Sequence, residues 1–239
     1  MKKYFIIIGV FVLLLSSCNQ NDMILYDQEP RIDFQGYSNT GDEKLGRLTE
    51  FNDADYLNQV AEKIDSVKVI IMGHALLSPL AYCLTTEKDT TTNLGAQVRF
   101  ASEYIFPAGV FISWAKYTVK RPELCGKSYK ANLVFDVKNP AHQFASGRVE
   151  ARKMGCLVEF NLEPIEGWNT KLWNATFLGM YSDGKYKFMM DTYKKTYKEF
   201  TVDATLKNDV RAKYAAYKAG GGAPIMDDQE KPEEIVFPL

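Results

Sequence analysis

The residue with the most definite chemistry in this chain is Cys18, which closes the run Leu15-Ser16-Ser17-Cys18. A cysteine directly after small residues at the end of an apolar stretch marks the cut of an export signal and offers a thiol for lipid attachment. Lys2 and Lys3 precede the apolar run Phe5 to Leu15, so the charged start, the apolar stretch and the small residues follow in the order that such a signal requires. A transmembrane helix is the competing reading, but the run is shorter than the roughly 20 residues a bilayer needs. The sequence therefore predicts a lipoprotein signal peptide over residues 1–17, lipidation at Cys18, and a tether over 18–30 that holds the body to the cell envelope at the outer membrane.

The other reactive residue types do not assemble into a motif. Gly126-Lys127-Ser128 resembles the end of a phosphate-binding loop, yet that loop needs a glycine five positions earlier, where Arg121 stands. Gly220-Gly221-Gly222 has no strand before it and no helix after it, which makes it a helix stop. There is no nucleophile elbow of the glycine, any residue, serine, any residue, glycine type. His74 and His142 are the only histidines and have no ligand-type residue at zinc spacing. Asn52, Asp53 and Asp55 offer oxygens for calcium without the glycine and distal glutamate of a calcium loop. Glu159, Glu163 and Glu166 could contribute a carboxylate pair for glycoside hydrolysis, which needs two carboxyl groups about 5 to 9.5 Å apart. Of the three tryptophans, Trp114 reads as a strand residue in the core and Trp173 as part of a buried helix face. Trp168, beside Gly167 in a connection, is the candidate for stacking on a sugar ring. No cofactor and no metal are expected.

Without the two lysines of the signal, 27 basic residues face 30 acidic ones, a balance that gives no reason to expect a nucleic-acid partner. Apolar residues make up 46% of the chain, enough for a proper core, and the 13% that are aromatic suit a β-rich domain and also glycan binding. With Cys18 acylated, Cys83, Cys125 and Cys156 remain, an odd number, so at least one is a free thiol. Whether any two of them are bridged is not legible.

The elements that must position these groups change character along the chain. Arg31 to Phe34 is the first plausible strand, and residues 35–65 are poorly patterned apart from a helical turn between Asp53 and Lys63, with Leu57, Val60, Ala61 and Ile64 on one side. Val67, Val69 and Ile71 alternate, and Leu80, Tyr82 and Leu84 read as one face of another strand. Gln97 to Phe100 and Val110 to Val119 flank the break Phe106-Pro107-Ala108-Gly109. In Tyr129 to Val137 the odd positions are apolar and the even ones polar, with Val134 alone out of pattern. Met154, Cys156, Val158 and Phe160 share a face.

After Pro164 the apolar period lengthens from about 2 to about 3.6. Leu172, Trp173 and Phe177 suggest a short helix. Tyr186, Met189, Met190, Tyr193 and Tyr197 form a stripe behind a cap at Ser182 or Asp183, and a last helix runs from Ala204 to Ala219 behind Asp203. One-sided strands need a second layer. The expected fold is therefore mainly β with a helical C-terminal section: an immunoglobulin-like β-sandwich over 31–162, a helical section over 163–219 packed on it, and a flexible segment over 220–239 ending in a short edge strand.

The lipobox, the strand Val67 to Met72 with Gly73, the Phe106-Pro107-Ala108-Gly109 break, Trp168, and Leu178-Gly179-Met180-Tyr181-Ser182 followed by Lys185-Tyr186 together resemble a family of Bacteroidota lipoproteins classified only as a domain of unknown function. The resemblance covers nearly the whole mature chain and rests on structural motifs, so it transfers no active site. Members are often encoded beside starch-utilisation-type outer-membrane uptake systems, which implies work near glycan or nutrient capture. The leading expectation is a non-enzymatic accessory that binds a glycan or assists an uptake complex. A structural or adhesive envelope module without a small ligand is the second, and a glycoside hydrolase with a carboxylate pair the third. Surface or periplasmic placement and oligomeric state stay open. If Cys18 carries the lipid, Cys18→Ala abolishes fatty-acid labelling and releases the protein from the detergent phase. Unchanged labelling would overturn the anchor.

Overall fold

The structure is a computed structural model that describes residues 29–35, 46–88, 94–162, 171–227 and 231–238. Cys18, Trp168, Glu163, Glu166 and Leu239 lie outside the described residues. Strands form over most of the stretches where the sequence alternates. Strands β1 (Arg31–Gln35), β3 (Glu62–Met72), β6 (Val98–Arg99), β8 (Ile112–Lys120) and β10 (Ala145–Ser146) make one sheet in the order β10-β1-β3-β8-β6. Strands β2 (Arg47–Phe51), β5 (Leu84–Glu87), β9 (Ser128–Phe135) and β11 (Lys153–Phe160) make the other, in the order β2-β11-β9-β5. Neighbours are antiparallel except for β1 with β10 and β2 with β11.

Ile32, Phe34, Val67, Val69, Ile71, Ala115 and Tyr117 of the first sheet enter one buried cluster with Phe51, Leu133, Met154, Cys156, Val158 and Phe160 of the second. Phe34 stacks on Phe135 across the gap, with ring centroids 4.3 Å apart. The chain thus folds as an immunoglobulin-like β-sandwich. Each buried large side chain contributes roughly 1.5 to 3 kcal/mol, so this interlayer is the main source of stability.

Several local expectations fail where long-range pairing overrides the local pattern. The poorly patterned stretch 35–65 contains β2, whose edge position beside β11 asks for little alternation. Ile64 belongs to β3 rather than to a helix and points outward, 75% exposed. Leu80, Tyr82 and Leu84 do not share a strand. The chain breaks at Cys83, so that β4 (Leu80–Tyr82) pairs with β7 (Tyr104–Phe106) while β5 joins β9. The strand expected to reach Val137 stops at Phe135.

A two-sheet sandwich has two open ends, and the remaining elements close them. At the end marked by Met72, Tyr82 and Phe106 of the β4–β7 pair are fully buried and pack with Phe144. At the end marked by Phe160, the short helix α1 (Asp53–Leu57) and the helical section take over. Helix α1 opens on a capping box in which Asn52 and Asp55 satisfy one another's backbone N–H groups. Helix α2 (Asp183–Tyr193) is capped by Ser182, whose hydroxyl accepts from the Lys185 amide, and ends on Lys194 in the left-handed region, φ 54.

That reversal takes Tyr197 out of the expected helical stripe and into a short 3-10 turn, where it is still buried. Tyr186 ties the layers together: its hydroxyl donates to Asp53 (2.9 Å) and accepts from the Tyr197 amide (2.8 Å). Helix α3 (Ala204–Ala219) starts at the Asp203 cap and stops at the glycines. Between Leu172 and Gly179 the described residues hold only a helical turn at 171–172 followed by bends, in place of the expected short helix.

The C-terminal residues return to the body, although not as an edge strand of either sheet. The Ile235 amide donates to the Ile225 carbonyl, Met226 and Glu234 form a bridge, and Phe237 packs between Phe188 and Tyr214. The apolar partners that these residues need lie on the helices. Cys83, Cys125 and Cys156 are all buried, and no disulfide joins any two of them. Among the described residues, no helix is long and apolar enough to cross a membrane.

A polar latch joins the sheets at the β2–β3 edge. Asp65 lies on the inner side of β3 and accepts from Arg47 and Thr49 of β2 and from the Tyr117 hydroxyl, while Lys63 donates to the Glu50 carbonyl and to Asp55. Burial raises the Asp65 carboxyl, but hydrogen bonds from Arg47, the Ser66 amide and Tyr117, with the Arg47 charge, outweigh it and hold the group below the usual carboxylate range. A depressed folded-state pKa means that the contribution is present above the unfolded value of about 4 and fades as pH falls through the folded one. Asp65→Asn should therefore cost about 1 to 2 kcal/mol at neutral pH and much less near pH 2. Parallel thermal melts against pH measure it, and an equal penalty at both pH values would contradict the latch.

Candidate functional site

Val134, the one residue out of pattern in its strand, leads to a cleft at the edge of the sandwich. It lies on the outer face of its sheet opposite Lys153 and Thr85, yet is only 7% exposed. The connection between β9 and β11 folds over it at the Met72 end and leaves a cleft of about 250 Å³. Val134, Phe135, Val137 and Ile32 supply the apolar lining, and Glu87, Lys153, Arg152, Ser146 and His142 supply the polar groups. Convergent polar side chains around an apolar floor are the usual build of a small-ligand site.

Each polar group has a traceable support. Asp33 is fully buried and accepts from both the amide and the Nε of Arg148, 2.9 and 2.8 Å away. Gly147 must be glycine, because a Cβ there would stand 1.8 Å from the Asp33 carboxylate. With the backbone pinned, the Gly147 carbonyl accepts from Arg152 Nε at 2.8 Å and aims the guanidinium, whose terminal nitrogens have no partner among the described residues. Lys153 pairs with Glu87 at 2.5 Å, both more than half exposed. A pair so exposed is worth about 0 to 1 kcal/mol, so exchanging it for ligand hydroxyls costs little. His142 Nδ1 accepts from the Cys83 amide at 3.1 Å, which places the ring proton on Nε2. Burial pushes the imidazole's pKa down, partly offset by the Cys83 and Phe144 backbone and by Asp136, so the ring is neutral at pH 7.

The residues singled out by type are not gathered here, His142 excepted. His74 is exposed in the loop after β3. The oxygens of Asn52, Asp53 and Asp55 are engaged in capping α1, holding Tyr186 and pairing with Lys63. Glu159 accepts from Ser128 Oγ (2.6 Å) and Asn161 Nδ2 (3.3 Å), while its expected partners Glu163 and Glu166 lie outside the described residues. Gly126 makes a tight turn into β9 at φ +68. Among the described residues, no three His, Cys, Asp or Glu side chains are grouped to hold a metal.

Trp173 is buried, as its pattern suggests, but Trp114 is not a core residue. It alternates with the buried Ala115, stands 57% exposed on the outer face of β8, and lies beneath the Lys68 amine, 5.9 Å from the ring centroid. The strand was legible and its inward face was not, because Ile112 and Trp114 make the outward set look equally apolar.

No family model matches the chain, and no curated protein does. Solved structures similar to it include the apo form of the Calx CBD1 domain, at 12% identity and a TM-score of 0.36, over 56% of this chain and 99% of that one. A protein of unknown function from Bacteroides ovatus matches at 12% identity and 0.38, over 54% and 44% of the two chains. EndoBT-3987 from Bacteroides thetaiotamicron, solved with a Man5GlcNAc product, matches at 13% identity and 0.37, over 62% and 33%. The chain thus spans less than half the length of these last two. At such TM-scores none of these likenesses bears on what the chain binds or does.

The glycine that pins the cleft gives a direct check. Gly147→Ala should destabilise the protein by about 2 to 3 kcal/mol through its clash with Asp33, whereas Gly95→Ala, where a Cβ meets nothing within 4 Å, should change little. Equal melting temperatures for the two variants would show that the pinned backbone is not needed.

Proposed function

We propose that this chain is an envelope lipoprotein, held to the outer membrane through the lipid on Cys18, that binds a glycan without turning it over and serves an uptake complex. The observation that supports it is the cleft: an apolar floor containing Phe135, with Glu87, Lys153 and Arg152 around it. A pyranose presents an apolar face of C–H groups and a rim of hydroxyls, and this arrangement complements both. Its volume is on the scale of a single sugar ring rather than of a long chain, so recognition is of a terminal or branching residue. Among the described residues Glu87 is the one acidic residue lining the cleft, so the described lining offers no carboxylate pair for hydrolysis. The resemblance to Bacteroidota lipoproteins encoded beside uptake systems points the same way.

Titrating the full chain in detergent micelles against a panel of oligosaccharides should find a ligand whose affinity drops about tenfold in Arg152→Gln and in Glu87→Gln, the loss of roughly one hydrogen bond to a charged group. Trp114→Ala should leave that affinity unchanged. No new reducing ends should appear during incubation. Affinity insensitive to both cleft variants would move the site elsewhere, and sugar release would replace this reading with an enzyme.

A further inference from the structure

A group of exposed apolar side chains lies at the same end of the sandwich as Arg31, where β1 begins. Met72, Ile112 and Trp114 project from the outer face of the first sheet, and the adjoining loops add Leu77, Val110 and Phe111, all exposed. The two loops are fastened together, since the Gly109 amide donates to the Leu76 carbonyl and the Ile71 amide to the Phe111 carbonyl. Leu77 is wholly exposed, and Phe111 more than half. Such a contiguous patch is unusual on a surface that faces only water. Lys68, Lys116 and Arg31 lie along its border on the same face.

The position of the tether says what covers it. Arg31, the first residue of β1, is in register with Met72, so the segment running back to Cys18 leaves the body beside the patch. The thirteen residue steps from Cys18 to Arg31 reach about 45 Å at most, and less in any relaxed state. A lipid on Cys18 therefore keeps this end of the sandwich within reach of the bilayer. Aliphatic and aromatic tips with a tryptophan and lysines at their edge match the interfacial layer, where rings sit at headgroup level and amines reach the phosphates.

We propose that the Leu77 and Phe111 loops, with Trp114 at their border, rest on the lipid surface that holds Cys18 and fix the orientation of the body on it, an inference that rests on the anchoring proposed above.

The test is hydrogen exchange on the lipidated full chain reconstituted into phosphatidylethanolamine and phosphatidylglycerol vesicles. Amides of residues 74–78 and 109–114 should exchange about tenfold more slowly than in a lipidated Leu77→Asp, Phe111→Asp variant on the same vesicles, with both proteins floating with the lipid. Phe111→Ser alone should give the same direction, more weakly, if the double variant melts early. Equal exchange in vesicle-bound wild type and variant would overturn the lipid contact and leave the anchor standing. Wild type that does not float would remove the anchor and the contact with it. Protection of the same amides in Cys18→Ala protein free of lipid, with a doubled mass, would assign the patch to a second copy instead.

Discussion

A two-layer sandwich buries the facing sides of its sheets and leaves its two ends open, and that constraint accounts for almost everything in this chain beyond the main strands. The end at Phe160 would expose Phe51, Phe160 and Leu162. Helix α1 and the helical section cover it, with Tyr56 stacked on Phe160 and the Lys187 amine above the same ring. The cover is held by polar ties as well as by area. Tyr186 is completely buried and spends its hydroxyl on Asp53 and on the Tyr197 amide, so α1, α2 and the 3-10 turn share one hydrogen-bonded node. Removing the Tyr186 hydroxyl takes one partner from Asp53 and one from the Tyr197 amide, and a buried polar group that loses a partner costs more than the bond itself contributes.

The opposite end is closed differently, and the difference explains where the surface features lie. The β4–β7 pair fills the middle with Tyr82, Phe106 and Phe144, but its two short strands cover less than a helical layer does. The chain compensates with connections: 136–144 runs across the edge towards β10, and the loops after β3 and before β8 fold on each other. Connections that span a gap leave concave seams and protruding tips. The cleft over Val134 is such a seam, and the Leu77 and Phe111 loops are such tips. Both arise from closing one end with irregular backbone.

What could be read from the sequence follows the same division. Period-2 stretches such as Val67 to Ile71 and Met154 to Phe160 declare a buried face by themselves, and Ser182 and Asp203 announce helix starts because capping is a local interaction. Features that depend on which elements meet were not legible. Nothing near Leu84 shows that it joins β9 while Tyr82 joins β7, and nothing near Trp114 shows which of two apolar faces turns inward. The cleft left one trace, Val134, an apolar residue on an otherwise polar face, and its meaning depends on the connection that folds over it. Glu87, Arg152 and Lys153 left none, because surface charges in a loop or at a strand end look alike wherever they stand.

The cysteines show how the same burial decides chemistry. Thiols invite oxidation when they behave as nucleophiles, since a thiolate is the reactive form. Cys156 faces the sandwich interior, where desolvation pushes its thiol up to about 11, offset only in part by Tyr117. Cys83 is raised for the same reason, with Asp136 and Glu103 adding to the effect, and its sulfur lies 3.6 Å from the Ser102 carbonyl. At neutral pH both are neutral, enclosed and without a bridging partner, so they act as small apolar side chains of the core. The stability of this domain therefore rests on packed area and polar ties rather than on crosslinks. A fold so dependent on packing has reason to close both ends of its sandwich, even where the closure leaves apolar tips exposed.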